Sequence, residues 1–217
     1  MDFDFTSDIN KNYQEAMNYK SIDRLMVQVG WAHLAAIIVL AVLASVIKIA
    51  DYYPSPLAWR VISQPEAIGA ILIALVATLA LALLRGRLEN HYAWRIFVIL
   101  ILNIYSYLLV FLSGGSIEMH FHFFIVLIAI SLYYDWRLAW VSLVSVALHH
   151  GILNYVAPTW VYFYGRNDVA VVAHAIPVLV AVILITILCQ NNRAAVVSLM
   201  LTQKQKGTEE FLRKTKG

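Results

Sequence analysis

Cysteine is almost missing from this chain: Cys189 is the only one in 217 residues. A single thiol excludes an intramolecular disulfide and any cysteine-based metal cluster within one chain. Charge is scarce too, at 13% of residues, where soluble domains carry about a quarter. The first 24 residues have no apolar core and contain Asp2, Asp4, Asp8, Glu15 and Asp23, so they do not form a secretory signal peptide. There is no repeat at a period of about 20 to 50 residues, no low-complexity tract, and no Gly-Gly-Asp-Glu-Phe output motif. A net charge of +3 shows no affinity for nucleic acid.

What is there in quantity is apolar side chain, 61% of the residues with a mean hydropathy of +0.72. That balance defines an integral membrane protein, and its segments have the ~20-residue length needed to cross ~30 Å of hydrocarbon. Residues 1-24 read as a polar cytoplasmic segment, with Thr6, Ser7 and Asp8 as candidate caps for a surface helix over Ile9 to Arg24. The first span runs from Leu25 to Ala50, interrupted only by Gln28, His33 and Lys48. Asp51-Tyr-Tyr-Pro-Ser-Pro reads as a loop, since Pro54 and Pro56 break helix. Further spans follow over Glu66 to Leu84, Tyr92 to Leu112, Ile117 to Tyr134, Trp136 to Val156 and Val169 to Cys189, the third carrying Asn103 near its centre. Between the second and third, Arg85-Gly-Arg87-Leu-Glu-Asn reads as a short basic turn, and Pro158 to Asp168 as an aromatic loop with Trp160, Tyr162, Phe163 and Tyr164. The expected fold is an all-α membrane protein of six transmembrane helices.

Lysine and arginine set the orientation. Lys11, Lys20, Arg24, Arg85, Arg87, Arg95, Arg137, Arg193, Lys204, Lys206, Arg213, Lys214 and Lys216 fall on the side of the amino terminus, against Lys48, Arg60 and Arg166 on the other. Both termini are therefore expected in the cytoplasm. Beyond Cys189 the pattern stays helical, with Val197 and Leu201 four apart, so the last helix is expected to run about 15 residues into the cytoplasm. Residues 25-189 then form the membrane domain, and residues 190-217 a signalling helix or linker ahead of an output domain in the same polypeptide. A homodimer through that helix is expected.

Four of the seven histidines lie between Gly114 and Asn154. If the fourth and fifth spans are antiparallel about Asp135, His120 and His122 on one sit as far from the turn as His149 and His150 on the other, roughly 20 Å at ~1.5 Å per residue. His174 on the sixth span reaches the same outer third. Ionisable groups inside a membrane are costly and usually functional, so these five histidines are the candidate cofactor-binding residues. His120 and His122 differ by about 200° around a helix and His149 and His150 by about 100°, so only one of each pair faces a common centre. Glu118, four residues before His122, is a candidate ligand or hydrogen-bond partner for its ring, and Asn154 stands in the same relation to His150.

Neutral imidazoles in hydrocarbon suit two kinds of centre. A haem b needs facing histidines and a flat apolar slot, which Phe121, Phe123, Phe124, Tyr155 and Gly151 would line. A bare copper, zinc or non-haem iron ion needs three or four converging donors, such as His122, His150, His174 and Glu118. His33 and His91 differ in depth, and His91 beside Tyr92 and Trp94 reads as an interfacial residue.

The elements Gly-Gly-Ser-Ile-Glu-Met-His-Phe-His-Phe-Phe, Tyr-Asp-Trp-Arg and Leu-His-His resemble the histidine-bearing, multi-span amino-terminal sensor region found ahead of bacterial diguanylate cyclases, chemoreceptors and sensor kinases. The likeness covers about Trp31 to Arg193. It implies an inner-membrane input module that is not itself an enzyme, sensing redox state or a diatomic gas through haem b held among His120, His122, His149, His150 and His174. An electron carrier, a transporter lined by Glu118, Asn103 and the histidines, and a metallohydrolase using Glu118 as base are the other functional classes these residues allow.

Overall fold

The computed structural model describes residues 19-47, 62-88 and 91-215. The caps at Thr6 to Asp8, the rest of the expected surface helix before Tyr19, and the loop from Asp51 to Pro56 lie outside them. The described residues form helices alone: α1 (Tyr19–Ser45), α2 (Gln64–Leu88), α3 (Tyr92–Leu112), α4 (Ile117–His120), α5 (His122–Ser131), α6 (Trp136–Val156), a 3-10 turn (Pro158–Trp160) and α7 (Asp168–Thr215). Five helices are long and apolar enough to cross a membrane, and Ile117–Ser131 is a shorter apolar segment. The exterior is apolar, with Val76, Leu83, Ile128, Val156 and Val169 all more than 60% exposed. A surface of that kind is stable only against lipid. The chain is a multi-pass, all-helical membrane protein.

α3 is the hinge of the architecture. It packs on α1 and α2 on one side and on α5 and α6 on the other, while α7 lies on α5 and α6. Its buried residues run around the whole helix, including Trp94, Ile99, Leu102, Asn103, Tyr105, Ser106 and Leu109, as expected of a helix enclosed on all sides. α2 buries Ala67, Ala70, Ala74, Ala77 and Thr78, a small-residue seam that lets backbones approach in a membrane where the hydrophobic effect gives no drive. At Gly30 on α1 an added Cβ would lie 2.9 Å from Leu81 Cδ1. A larger residue there would have to push the Leu81 side chain aside.

Several expectations change. The basic turn after α2 is partly helix, since Arg85 and Arg87 stand in the last turn of α2, where cations complement the helix dipole. The polar lead-in also does not stop at Arg24, because α1 already includes Tyr19 and buries Asp23 completely. Asp23 is held there by a partner remote in sequence: the Tyr133 hydroxyl donates to Asp23 Oδ1 at 2.9 Å, while Arg95 lies 3.6 Å over the Tyr19 ring. The Tyr-Tyr-Asp-Trp-Arg turn is thus a joint between α1, α3 and the α5 to α6 connection. Within it Tyr134 takes a positive φ of 52°, and Asp135 caps α6 by accepting from the Arg137 backbone N–H at 3.1 Å.

The segment expected as one fourth span is two helices with a break at Phe121. Ser116 caps α4 through the Met119 N–H. The last helix is longer than expected, continuing without interruption through Pro177 to Thr215.

Candidate functional site: a buried imidazole cluster

His120 closes α4, His150 lies in the last two turns of α6, and His174 in the second turn of α7. Their ring centroids are 5.4 Å (His120 to His150), 5.0 Å (His120 to His174) and 6.3 Å (His150 to His174) apart. Three helices thus deliver three imidazoles to one place.

Two of these rings have their tautomer fixed. His120 Nδ1 is 2.7 Å from the Ser116 carbonyl and His150 Nδ1 is 3.0 Å from the Val146 carbonyl. A carbonyl only accepts, so each Nδ1 carries the proton and donates. The lone pair of each ring is left on Nε2, and both Nε2 atoms are buried without a hydrogen-bond partner. An orphaned acceptor in a low-dielectric interior costs about 1 to 3 kcal/mol. Two of them side by side are the pattern left when Nδ1 bonds orient imidazoles toward a Lewis acid.

Further groups surround the three rings. Tyr162, from the connection between α6 and α7, lies with its ring centroid 5.8 Å from His120, 5.9 Å from His150 and 5.4 Å from His174. Its hydroxyl is buried without a partner, and burial pushes its phenol up, away from ionisation. His149 stacks on Tyr107 at 3.8 Å with the planes 6° apart, and Tyr107 in turn bonds Ser145 Oγ at 2.7 Å. His149 lies 5.3 Å from the His150 ring and flanks the cluster rather than joining the triangle. Below the three rings is a cavity of about 320 Å³, otherwise lined by apolar side chains including Phe121, Phe123, Phe124, Val146 and Val178. That volume is at the lower end for small-molecule sites.

The fit to a bare ion can be tested on these distances. With metal-nitrogen bonds of about 2.0 to 2.1 Å and the ring centre ~1.1 Å behind the nitrogen, a ligating ring has its centroid about 3.2 Å from the ion. The point equidistant from the three observed centroids lies about 3.3 Å from each. The rings have the right spacing. Among the described residues no three His, Cys, Asp or Glu donors already converge at ligand distance.

His122 is elsewhere. It turns to the opposite side of the Phe121 break, where its Nε2 meets His33 Nε2 at 2.9 Å and its Nδ1 meets Ser106 Oγ at 2.8 Å. Glu118 is exposed, and with both ring nitrogens of His122 engaged by His33 and Ser106 the expected pairing of Glu118 with His122 is not made. Nor does Asn154 serve His150. Instead Asn154 donates to Asp168 Oδ1 at 2.7 Å and accepts from the Asn167 N–H at 3.0 Å, clamping the end of α6 to the start of α7. Of the expected haem slot, Phe121, Phe123 and Phe124 line the cavity, while Tyr155 is 62% exposed. His91 stands exposed just before α3. Asn103 accepts from the Ser142 hydroxyl at 3.0 Å, a helix-to-helix bond within the core.

Sequence reasoning missed Tyr162 and Ser106. Tyr162 had one signal, the Gly114-Gly115 pair. Gly115 has φ +81°, and an added Cβ there would lie 2.7 Å from the backbone of Tyr162 and Phe163. The loop is seated directly on that glycine.

Fold and site together define a multi-helical membrane protein with a cluster of imidazoles, His120 and His150 buried and His174 half-buried, beside an apolar cavity. No family model, no curated protein and no solved structure matches the chain.

Proposed function

We propose that this chain is the membrane-embedded input module of a bacterial signalling protein, and that it holds a transition-metal ion such as copper or zinc through His120, His150 and His174. One observation carries the reading: three imidazoles spaced for a single ion, two with Nδ1 locked on backbone carbonyls so that Nε2 presents its lone pair. The ion when bound supplies a positive charge shared by three helices and, for copper, a redox couple. The chain's own part is to fix the rings, keep water away with the Phe121, Phe123 and Phe124 side chains, and cover the site with Tyr162.

Haem b is the second reading, favoured by the aromatic cavity. His150 and His174, with ring centroids 6.3 Å apart, would be the two histidines to hold it. Yet His120 then lies only about 4 Å from the midpoint between them, inside the space a porphyrin takes around its iron. Haem held this way would displace His120 from the triangle, whereas a bare ion would use all three rings.

The wider reading has six spans with both termini in the cytoplasm of a bacterial inner membrane, a homodimer and an output domain in the same polypeptide. It is supported by the lysine and arginine asymmetry and by α7. This helix spans 48 residues, carries His174 near one end and the polar Gln190-Asn-Asn-Arg stretch beyond its apolar part, and rests on α6, which carries His150. An ion that binds one spacing of His150 and His174 more tightly than another would shift a two-state equilibrium of these helices, since a ligand shifts such an equilibrium by its differential affinity for the two states.

The test is a distance measurement across α6 and α7. Spin labels at Arg137→Cys and Ser198→Cys, in a Cys189→Ala background, are compared in protein loaded with Zn(II) and in protein stripped by chelator. A shift of a few Å in the distance distribution is expected, and it should vanish when His150→Ala is added. Identical distributions in the loaded and stripped protein would show that the ion is not a signal.

A further inference from the structure

The polar contact between α1 and the Phe121 break is independent of the imidazole cluster. His33 Nδ1 is 2.6 Å from the Val29 carbonyl, so this nitrogen carries the proton and His33 Nε2 carries the lone pair. That lone pair faces His122 Nε2 at 2.9 Å. The rings are 4.8 Å apart at 81°, and Tyr105 stacks on His33 at 5.1 Å with its hydroxyl 2.8 Å from Thr78 Oγ1.

Ser106 decides what His122 presents. Its Oγ is 2.8 Å from His122 Nδ1 and 3.3 Å from the Leu102 carbonyl. If Ser106 donates to Nδ1, then His122 bears its proton on Nε2 and donates it to His33, and the pair is an ordinary hydrogen bond. If Ser106 donates to Leu102 O and accepts from Nδ1–H, both Nε2 lone pairs face each other, an arrangement stable only with a cation between them. The two states contain the same number of protons. Passing from one to the other moves the His122 proton from Nε2 to Nδ1 while the Ser106 hydroxyl turns from Nδ1 to the Leu102 carbonyl.

We infer that His33 and His122 form a second ligand site, one that takes a monovalent soft cation of the Cu(I) or Ag(I) class. Donor number selects the class, because two neutral imidazoles satisfy a d10 monovalent ion in linear coordination and leave a divalent ion short. Linear binding needs the two nitrogens about 4 Å apart at ~2 Å per bond, so the rings must part by about 1 Å. The site joins α1 to the α4 to α5 break, whereas the cluster joins α4, α6 and α7.

The test is Ag(I) titration of the full chain in detergent, counting ions per chain after gel filtration, on the wild type, His33→Gln, His33→Cys and His150→Ala. Glutamine keeps a hydrogen bond to His122 but is a poor soft ligand, and cysteine restores one. The expected result is one ion fewer in His33→Gln than in the wild type, restored in His33→Cys, and one ion fewer in His150→Ala as well, where the cluster's ion is lost and the ion at His33 remains. Equal ion counts in the wild type and His33→Gln would overturn the second site. Loss of an ion in His150→Ala alone would leave the proposed cluster standing without it, and loss in His33→Gln alone would do the reverse.

Discussion

Replacing His150 by alanine is expected to remove the tightly held transition ion from the purified protein, whereas replacing His122 by alanine leaves that ion in place. The two residues look equivalent in the sequence but sit on opposite sides of the site. His150 supplies one of the three rings around the common centre, and its Nε2 has no other partner. His122 spends both nitrogens on His33 and Ser106. Losing one of three donors should lower affinity by at least the 10- to 100-fold reported for removing mere supporting groups around metal ligands. In His150→Ala the ion is therefore expected to be lost on dialysis against a mild chelator. Elemental analysis of both variants, purified side by side with a Zn(II) or Cu(I) load, reads the result. The removed imidazole leaves a larger, drier cavity, so His150→Phe serves as a filled control that should lose the ion equally.

Gly115→Ala is expected to be the most damaging single methyl group at the end of the bundle that holds the imidazole cluster. The positive φ alone costs a non-glycine residue about 1 to 3 kcal/mol. The new Cβ would also press at 2.7 Å on Tyr162 N, Tyr162 C and Phe163 N, all backbone atoms that cannot turn aside as a flexible side chain can. The loop must lift, breaking the Phe163 N–H bond to the Gly115 carbonyl and drawing Tyr162 off the three imidazoles. Thermal unfolding in detergent should show a clear loss of stability, and the affinity for the ion should fall with it. Gly151→Ala, at a glycine with open space around its Cβ position, is the matched control and should change neither.

The third and fifth expected spans, Tyr92 to Leu112 and Trp136 to Val156, coincide with α3 and α6. Both are punctuated by residues whose local chemistry stops or starts a helix: the Gly114-Gly115 pair after one, Asp135 before and Pro158 after the other. The divergence of His120 and His122 was legible as well, because 100° per residue allows nothing else. The partner of His122 was not. Counting α1 from Leu25 puts His33 too shallow to meet it, but the helix is already formed at Tyr19, and six residues at ~1.5 Å raise His33 by about 9 Å along the axis. The earlier start depends on Asp23 being accepted into the interior by Tyr133, 110 residues away. No local pattern encodes that. Tyr162 was hidden for a similar reason, since an aromatic loop at a membrane face reads as interfacial until the glycine beneath it is seen to hold it.

The proposal that His120, His150 and His174 hold one bare transition ion is tested most directly by elemental analysis of the detergent-purified protein together with its absorption spectrum, oxidised and then dithionite-reduced. Copper or zinc in stoichiometric amount, without a Soret band and dependent on His150, is the expected result. A Soret band that shifts on reduction would contradict it and place haem b at the cluster, and a protein free of both metal and haem after expression in metal-replete medium would contradict it outright.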